Sequence, residues 1–311
     1  MGRYVFTRLL TAVPVLIGIS ILAFLLGVLS PGDPAEIALN QNGLDMPSAE
    51  QIAVMREELG LNRSLISQYI DWICNVLQGN LGASYINGRD IATELFHRLP
   101  VTLELALLSF LFAGIGGIGM GVLCAVHQDS YLDNFMKNLS NVMLSVPSFW
   151  LALVLILIFC ERLQLLPTNG SDTVVHFILP AIVLSFATMG TVCRLMRGMM
   201  LSEFSKQYFI VAGVRGIEKT KLVLKYALPN AIIPVIALLG NYFASVLGGS
   251  VIVENIFAIP GIGTMAMEAI RFRDYPVLQA YVLVSGWILV IVTILVDILI
   301  SYLNPKVKLG D

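Results

Sequence analysis

The side chains that most often carry chemistry are sparse in this chain and far apart. Its histidines, His97, His127 and His176, and its cysteines, Cys74, Cys124, Cys160 and Cys193, form no CxxC pair and no Cys/His cluster at metal-ligand spacing. No metal site and no catalytic constellation is expected. The glycine run Gly114 to Gly121, GIGGIGMG, has the outline of a phosphate-cradling loop. It lies inside an apolar stretch, with no strand before it and no Lys-Ser/Thr after it, so close helix packing is its expected role. Three carboxylates stand out by position. Glu254 and Asp274 flank a segment between two apolar runs, as candidate contacts for an external partner or for the entrance of a path. Asp297 falls within an apolar run, where an ionisable group needs a polar partner.

The richest basic stretch runs from Arg194 to Asn230. It holds seven of the nineteen Lys and Arg residues: Arg194, Arg197, Lys206, Arg215, Lys219, Lys221 and Lys225. Ser202-Glu203 can open a helix that sets Phe204, Tyr208, Val211 and Ala212 near one face. Gly216 permits a tight reversal, and Leu222, Val223 and Tyr226 give a second segment its own apolar side. Pro229 is expected to end that segment. Two short amphipathic helices displayed in this way suit a groove on a partner protein. The plainer alternative is a basic loop that only holds topology.

These residues must be positioned by membrane helices. The chain is 57% hydrophobic and 13% charged, against roughly 25% charged in a soluble domain. Six runs lack Asp, Glu, Lys and Arg, at 9–32, 105–128, 138–160, 173–193, 226–253 and 275–296, and each has at least 21 residues. A helix needs roughly 20 to cross a bilayer. The expected fold is an all-α polytopic membrane protein with six transmembrane helices. The first run is too long for a signal-peptide core and lacks an A-x-A cleavage site, so it is expected to be retained. Pro147 should kink or break the third span. The segment Ser30–Pro100 should form a small cap, with helices opening at Pro47–Glu50, covering Ser67–Leu77, and covering Asp90–His97 ahead of the second span. A second external loop, Val253–Leu278, carries a tight turn at Pro260–Gly263.

With the N-terminus inside, twelve of nineteen basic residues fall on the cytoplasmic side: Arg3, Arg8, Lys137, the seven of the basic loop, Lys306 and Lys308. Both termini are therefore expected in the cytoplasm. A net charge of −2 gives no reason to expect nucleic-acid binding.

The basic loop resembles a known element. Tyr208 to Gly216, YFIVAGVRG, followed after nine residues by Tyr226 to Asn230, YALPN, is similar to the EAA loop of ABC importer permeases, EAA-x3-G-x9-I-x-L-P. Ala212, Gly216 and Leu228-Pro229 match that pattern. Ile210 stands in place of the Glu, Val211 in place of the first Ala, and Gly213 where peptide-branch relatives carry Arg or Lys. Loss of the Glu is common in that branch. Further segments resemble the first permease subunit of dipeptide, oligopeptide and nickel importers: RYVFTRLL, GDPA (32–35), ELGLNRSLISQY (58–69), LGASY (81–85), LPVTLELA (99–106), SVPSFWLA (145–152), ENIFAIPGIG (254–263) and RDYPVLQ (273–279).

The resemblance implies a type I ABC importer transmembrane domain over residues 93–305, with a coupling loop at 194–230. Residues 1–92 would hold the first helix and the cap, and 306–311 a cytoplasmic tail. It implies as partners a homologous second permease subunit (a heterodimer), two ATPase subunits, an extracytoplasmic solute-binding protein, and membrane lipid. ATP and Mg would be used by the ATPases, with no cofactor in this chain and no ATP hydrolysis by it. Tyr208, Ala212, Gly216, Leu222, Leu228 and Pro229 would form the ATPase-coupling surface. The location implied is the bacterial inner, or cytoplasmic, membrane. Short peptides are the expected cargo, with nickel or a metal chelate as the alternative, and a secondary transporter as a more distant one.

Overall fold

The computed structural model describes residues 2–29, 32–41 and 47–303; the tail expected at 306–311 lies outside them. Among these residues the regular elements are helices, apart from a lone antiparallel bridge between Ala83 and Asp90. The long helix α1 (Gly2–Val28) leads into three short cap helices, α2 (Pro34–Gln41), α3 (Ala49–Glu58) and α4 (Leu65–Leu77). Next come α5 (Ile91–Val126), α6 (Tyr131–Ser145) and α7 (Ser148–Leu155), the last continuing as a π-helix over Ile156–Arg162. The second half comprises α8 (Val174–Phe204), α9 (Gln207–Val214) and α10 (Lys219–Lys221). A π turn, Leu222–Ala227, joins α10 to α11 (Leu228–Leu247). Two short helices, α12 (Val251–Ile256) and α13 (Ile262–Phe272), precede the long α14 (Tyr275–Leu303).

Among the described residues, five helical stretches are long and apolar enough to cross a bilayer, and the pair α6–α7 makes a sixth when counted as one span. That pair is bent by 101°. The break falls at Val146-Pro147, as expected for a residue that fixes φ and lacks an N–H. Apolar composition alone does not hold such helices together in lipid, because tails are as apolar as leucine; close packing must do it. The central pair α5–α8 achieves this through the glycine run. A Cβ on Gly117 would lie 2.6 Å from the Val192 side chain and 2.9 Å from the Met189 carbonyl oxygen. One on Gly121 would lie 2.7 Å from the Cys193 carbonyl oxygen. The helix backbones approach where those side chains are missing.

Side chains fix the helix starts. Ser48 and Gln51 form a reciprocal capping box at α3, and Ser64 caps α4. Asp90 accepts from the Thr93 amide at 2.8 Å and its hydroxyl at 2.7 Å, which holds its carboxyl below the usual range. The short helix expected at Asp90–His97 proves to be the first turns of α5 itself. With Asp90 capping and Arg98 bonded to Glu94 at 2.8 Å, the helix starts there and runs through Pro100 into the apolar run. The boundary expected between residues 92 and 93 thus lies inside α5.

The cap is tied to the spans by polar and aromatic contacts. Ser20 on α1 and Tyr69 on α4 share a 2.8 Å hydrogen bond, and the Phe24 and Tyr69 rings meet edge-on at 5.5 Å. At the far end of α1, Arg8 forms an ion pair with Asp297 of α14 at 3.2 Å. The polar partner that Asp297 required is therefore supplied by this chain.

Candidate functional site

At the end of the bundle opposite the cap, α8 and the α10–α11 helix carry α9 between them. The element expected to open at Ser202-Glu203 opens later in the structure. Both residues belong to the last turn of α8, which runs on to Phe204, and α9 begins only at Gln207, after Lys206 in extended conformation. Phe204 therefore lies on a different helix from Tyr208, Val211 and Ala212, and it stacks on Phe209 across the bend at 4.8 Å. The cause is the continuity of α8: its buried face, Val192, Met196, Met200 and Glu203, keeps one helical stripe to the end.

Gly216 takes the role expected of it. Its φ of +83° is left-handed, and α9 closes on it in a Schellman motif. The Gly216 amide donates to the Gly213 carbonyl at 2.9 Å, and the Ile217 amide to the Ala212 carbonyl at 3.3 Å. Ala212 and Gly216 thus belong to one turn. Leu222 is buried behind α9, close to Gly213, while Leu228 packs partly into the core between α5, α8 and α11. Pro229 does not end the second segment as expected. The helix runs through it, because the π turn Leu222–Ala227 widens the backbone immediately before it. The carbonyl of Tyr226 in that turn accepts the Asn230 Nδ2 at 2.8 Å.

The outward surface of α9 is apolar. Tyr208, Ile210 and Val211 are exposed, and Val214 is 85% exposed. Behind them lies a polar knot that the sequence reading missed. Glu203, only 7% exposed, accepts from Lys206 Nζ at 2.5 Å and from Tyr208 Oη at 2.5 Å. Desolvation, followed by the hydrogen bond to Glu203 and its charge, pushes the Tyr208 phenol up to about 12. One signal was present in the sequence: an acid three residues before a lysine and five before a tyrosine. On the neighbouring side, Lys219 Nζ reaches the Val126 carbonyl oxygen at the end of α5 at 3.4 Å. Arg197 of α8 grips the fully buried Asp133 of α6 through two bonds, at 2.8 and 2.7 Å.

The structure brings Tyr208, Ala212, Gly216 and Leu222 together but leaves Glu254 and Asp274 at the other end. Both are buried within this chain rather than presented to a partner or an entrance. Glu254 is 0% and Asp274 3% exposed. Glu254 accepts from the Thr264 amide at 3.1 Å and Thr102 Oγ1 at 3.3 Å, tying α12 and α5 to the start of α13. Burial raises its carboxyl above the ordinary value, against the pull of those bonds. A Cβ on Gly263 would lie 2.8 Å from Glu254 Oε2, so the Pro260–Gly263 turn closes around the carboxylate. Asp274 receives the Ser84 hydroxyl and the Tyr85 amide, clasping the cap loop to the start of α14. Each buried acid accepts from a backbone donor at a chain reversal, Thr264 for Glu254 and Tyr85 for Asp274.

Comparison with known proteins places this arrangement. The model of the family described as binding-protein-dependent transport system inner membrane component matches residues 117–309, and its N-terminal companion matches residues 1–106. The chain is 34% identical over 308 residues to the glutathione transport system permease protein GsiC of Escherichia coli strain K12, covering 99% of each chain. It is 35% identical over the same length, again with 99% of each covered, to the protein of that name in Salmonella typhimurium strain LT2. Two crystal forms of the MetNI methionine ABC transporter, in inward-facing conformations, share the fold. They give TM-scores of 0.57 and 0.59 at 16% and 15% identity, covering 68% of this chain and 96% of those chains.

Proposed function

We propose, for a chain that belongs to the family of binding-protein-dependent transport system inner membrane components, a role as one half of the translocation path for short peptides. Membership makes it the membrane-embedded permease subunit of a bacterial ABC importer rather than an enzyme, and one that works with ATPase and binding-protein subunits. The finer assignments are ours. The second half of the path is a homologous permease, giving a heterodimer. Two ATPase subunits use ATP and Mg on the cytoplasmic side, where both termini lie. A solute-binding protein delivers cargo at the cap end.

One observation carries this reading: α9 presents Tyr208, Ile210, Val211 and Val214 to the outside while its two ends are rooted in spans. An uncovered apolar face on a short helix suits a groove on a second protein. Movement of that partner would be transmitted to α8 and α11, rocking them between access states. Peptide cargo is favoured over nickel because the full-length relatives are named for glutathione, itself a short peptide.

The docking test is co-purification. Val214→Asp should strip the ATPase subunits from the complex while the permease remains inserted. Full retention of the ATPases would overturn the docking assignment. For cargo, calorimetry on the partner binding protein with glutathione, tripeptides and nickel(II) decides. Peptide binding supports the reading, and binding of nickel(II) alone reverses it.

A further inference from the structure

We propose that Glu203 is a positioning residue that joins the last turn of α8 to α9 as a single lever. The proposal rests on reading α9 as the ATPase-docking helix and names the group that makes the docked helix transmit force. Helix α9 contains no charged residue; Gln207 and Tyr208 are its polar side chains. Any charge-assisted hold on it must come from outside, and Glu203 supplies one. Its carboxylate is buried, which is costly unless its oxygens are occupied. Both are: Oε1 takes Lys206 Nζ, from the residue that caps α9, and Oε2 takes Tyr208 Oη, from its first turn. Charge-assisted bonds of this kind are roughly twice as strong as neutral ones.

The geometry also ranks the attachments of α9. Tyr208 has one hydroxyl proton and two acceptors in reach, Glu203 Oε2 at 2.5 Å and the Tyr226 carbonyl oxygen at 3.3 Å. The shorter contact is to the charged acceptor, and the Tyr226 carbonyl is already served by Asn230. The proton therefore goes to Glu203, so the charge-assisted bond of α9 runs to α8, while the π turn ahead of α11 meets α9 through the packing of Leu222 near Gly213. A push on α9 enters the bundle through α8, whose Arg197 holds the buried Asp133 of α6. Without Glu203, the Tyr208 proton turns to Tyr226, and α9 loses its charge-assisted bond to α8.

The test uses the full complex in lipid nanodiscs, with its binding protein purified from cells together with whatever cargo it carries. Two quantities are read for Glu203→Ala, Glu203→Gln and Tyr208→Phe: the ATPase that co-purifies, and the stimulation of ATP hydrolysis by the binding protein. Co-purification should stay at the wild-type level for both Glu203 variants; for Tyr208→Phe, whose ring also lies on the docking face, stimulation is read per ATPase retained. Stimulation should fall about five- to tenfold for Glu203→Ala and Tyr208→Phe, the lower range of coupling between sites. Glu203→Gln, which keeps an acceptor without the charge, should lose about twofold. The Glu203→Ala/Tyr208→Phe double variant should be no worse than Glu203→Ala, since the two share one bond.

Wild-type stimulation in Glu203→Ala, or additive losses in the double variant, overturns the proposal. So does a loss of stimulation that only tracks lost ATPase. Should Glu203→Ala fail to assemble, Glu203→Gln decides: reduced stimulation with normal assembly supports the proposal, and unchanged stimulation overturns it. Val214→Asp in the same preparation separates the two readings, because its retention of ATPase would defeat docking itself whatever Glu203 does.

Discussion

Arg8 of α1 and Asp297 of α14 meet at 3.2 Å between two largely apolar helices. The pair clamps the first helix to the last, so the N-terminal span is held to the bundle by charge as well as by packing.

Breaking that clamp should be costly and repairable. Asp297→Asn removes the carboxylate that Arg8 pairs with inside the bundle, at an expected cost of about 1–3 kcal/mol. The measurement is the melting temperature of the purified complex. Exchanging the charges, Arg8→Asp with Asp297→Arg, should recover most of the loss. A double variant as weak as the singles would show that the pair is not what binds the two helices.

Two glycines of one helix should behave differently. Gly117→Ala drives a methyl against Val192 and the Met189 carbonyl, neither a free-moving chain end, and should cost about 1–3 kcal/mol. Gly119→Ala meets nothing within 4 Å and should be neutral, or stabilising by about 0.5–1 kcal/mol as glycine leaves a helix interior. Thermal melts in one detergent compare them directly. Equal effects would remove the packing account of the glycine run.

Gly216→Val places a β-branched residue at φ +83°, with a strain of about 1–2 kcal/mol. The Schellman turn that closes α9 must open, tilting the docking surface while the spans stay inserted. ATP hydrolysis should continue with little import. Normal import by this variant would sink the coupling role of the turn.

Glu254 gives the α12–α13 hairpin a pH dependence. Burial raises its folded-state pKa above the unfolded value, so the folded state binds the proton more tightly. The associated stability is fully present below the unfolded pKa and is lost as pH rises through the folded pKa. Protection of residues 251–272 from hydrogen exchange should therefore be greater at mildly acidic pH than at pH 8. Glu254→Gln, permanently neutral, should flatten that dependence. A variant that keeps the wild-type slope would assign it to another group.

The spans were legible because a bilayer demands long charge-free runs, and the break at Pro147 because proline removes a donor. The turn at Gly216 was legible for a related reason, since glycine tolerates left-handed backbone. What escaped was set by partners distant in sequence. Nothing local told that Ser202-Glu203 would finish α8 rather than begin α9, since the decision lay with a stripe beginning near Val192. The burial of Asp274 depended on Ser84, 190 residues away. The π turn before Pro229 left no compositional trace, because the same residues suit an α-helix equally well.

That turn has a consequence for inheritance. In an α-helix, losing one residue rotates everything beyond it by about 100°, so a one-codon deletion within Leu228–Leu247 would misalign the buried stripe of that helix. Within Leu222–Ala227 the backbone carries one residue more per turn than an α-helix requires. A single codon removed there brings the stretch back to an α-turn with the flanking helices near their present phase, but it also removes the widening that admits Pro229. The gene can shorten at this point and keep the register only if the proline is replaced in the same step.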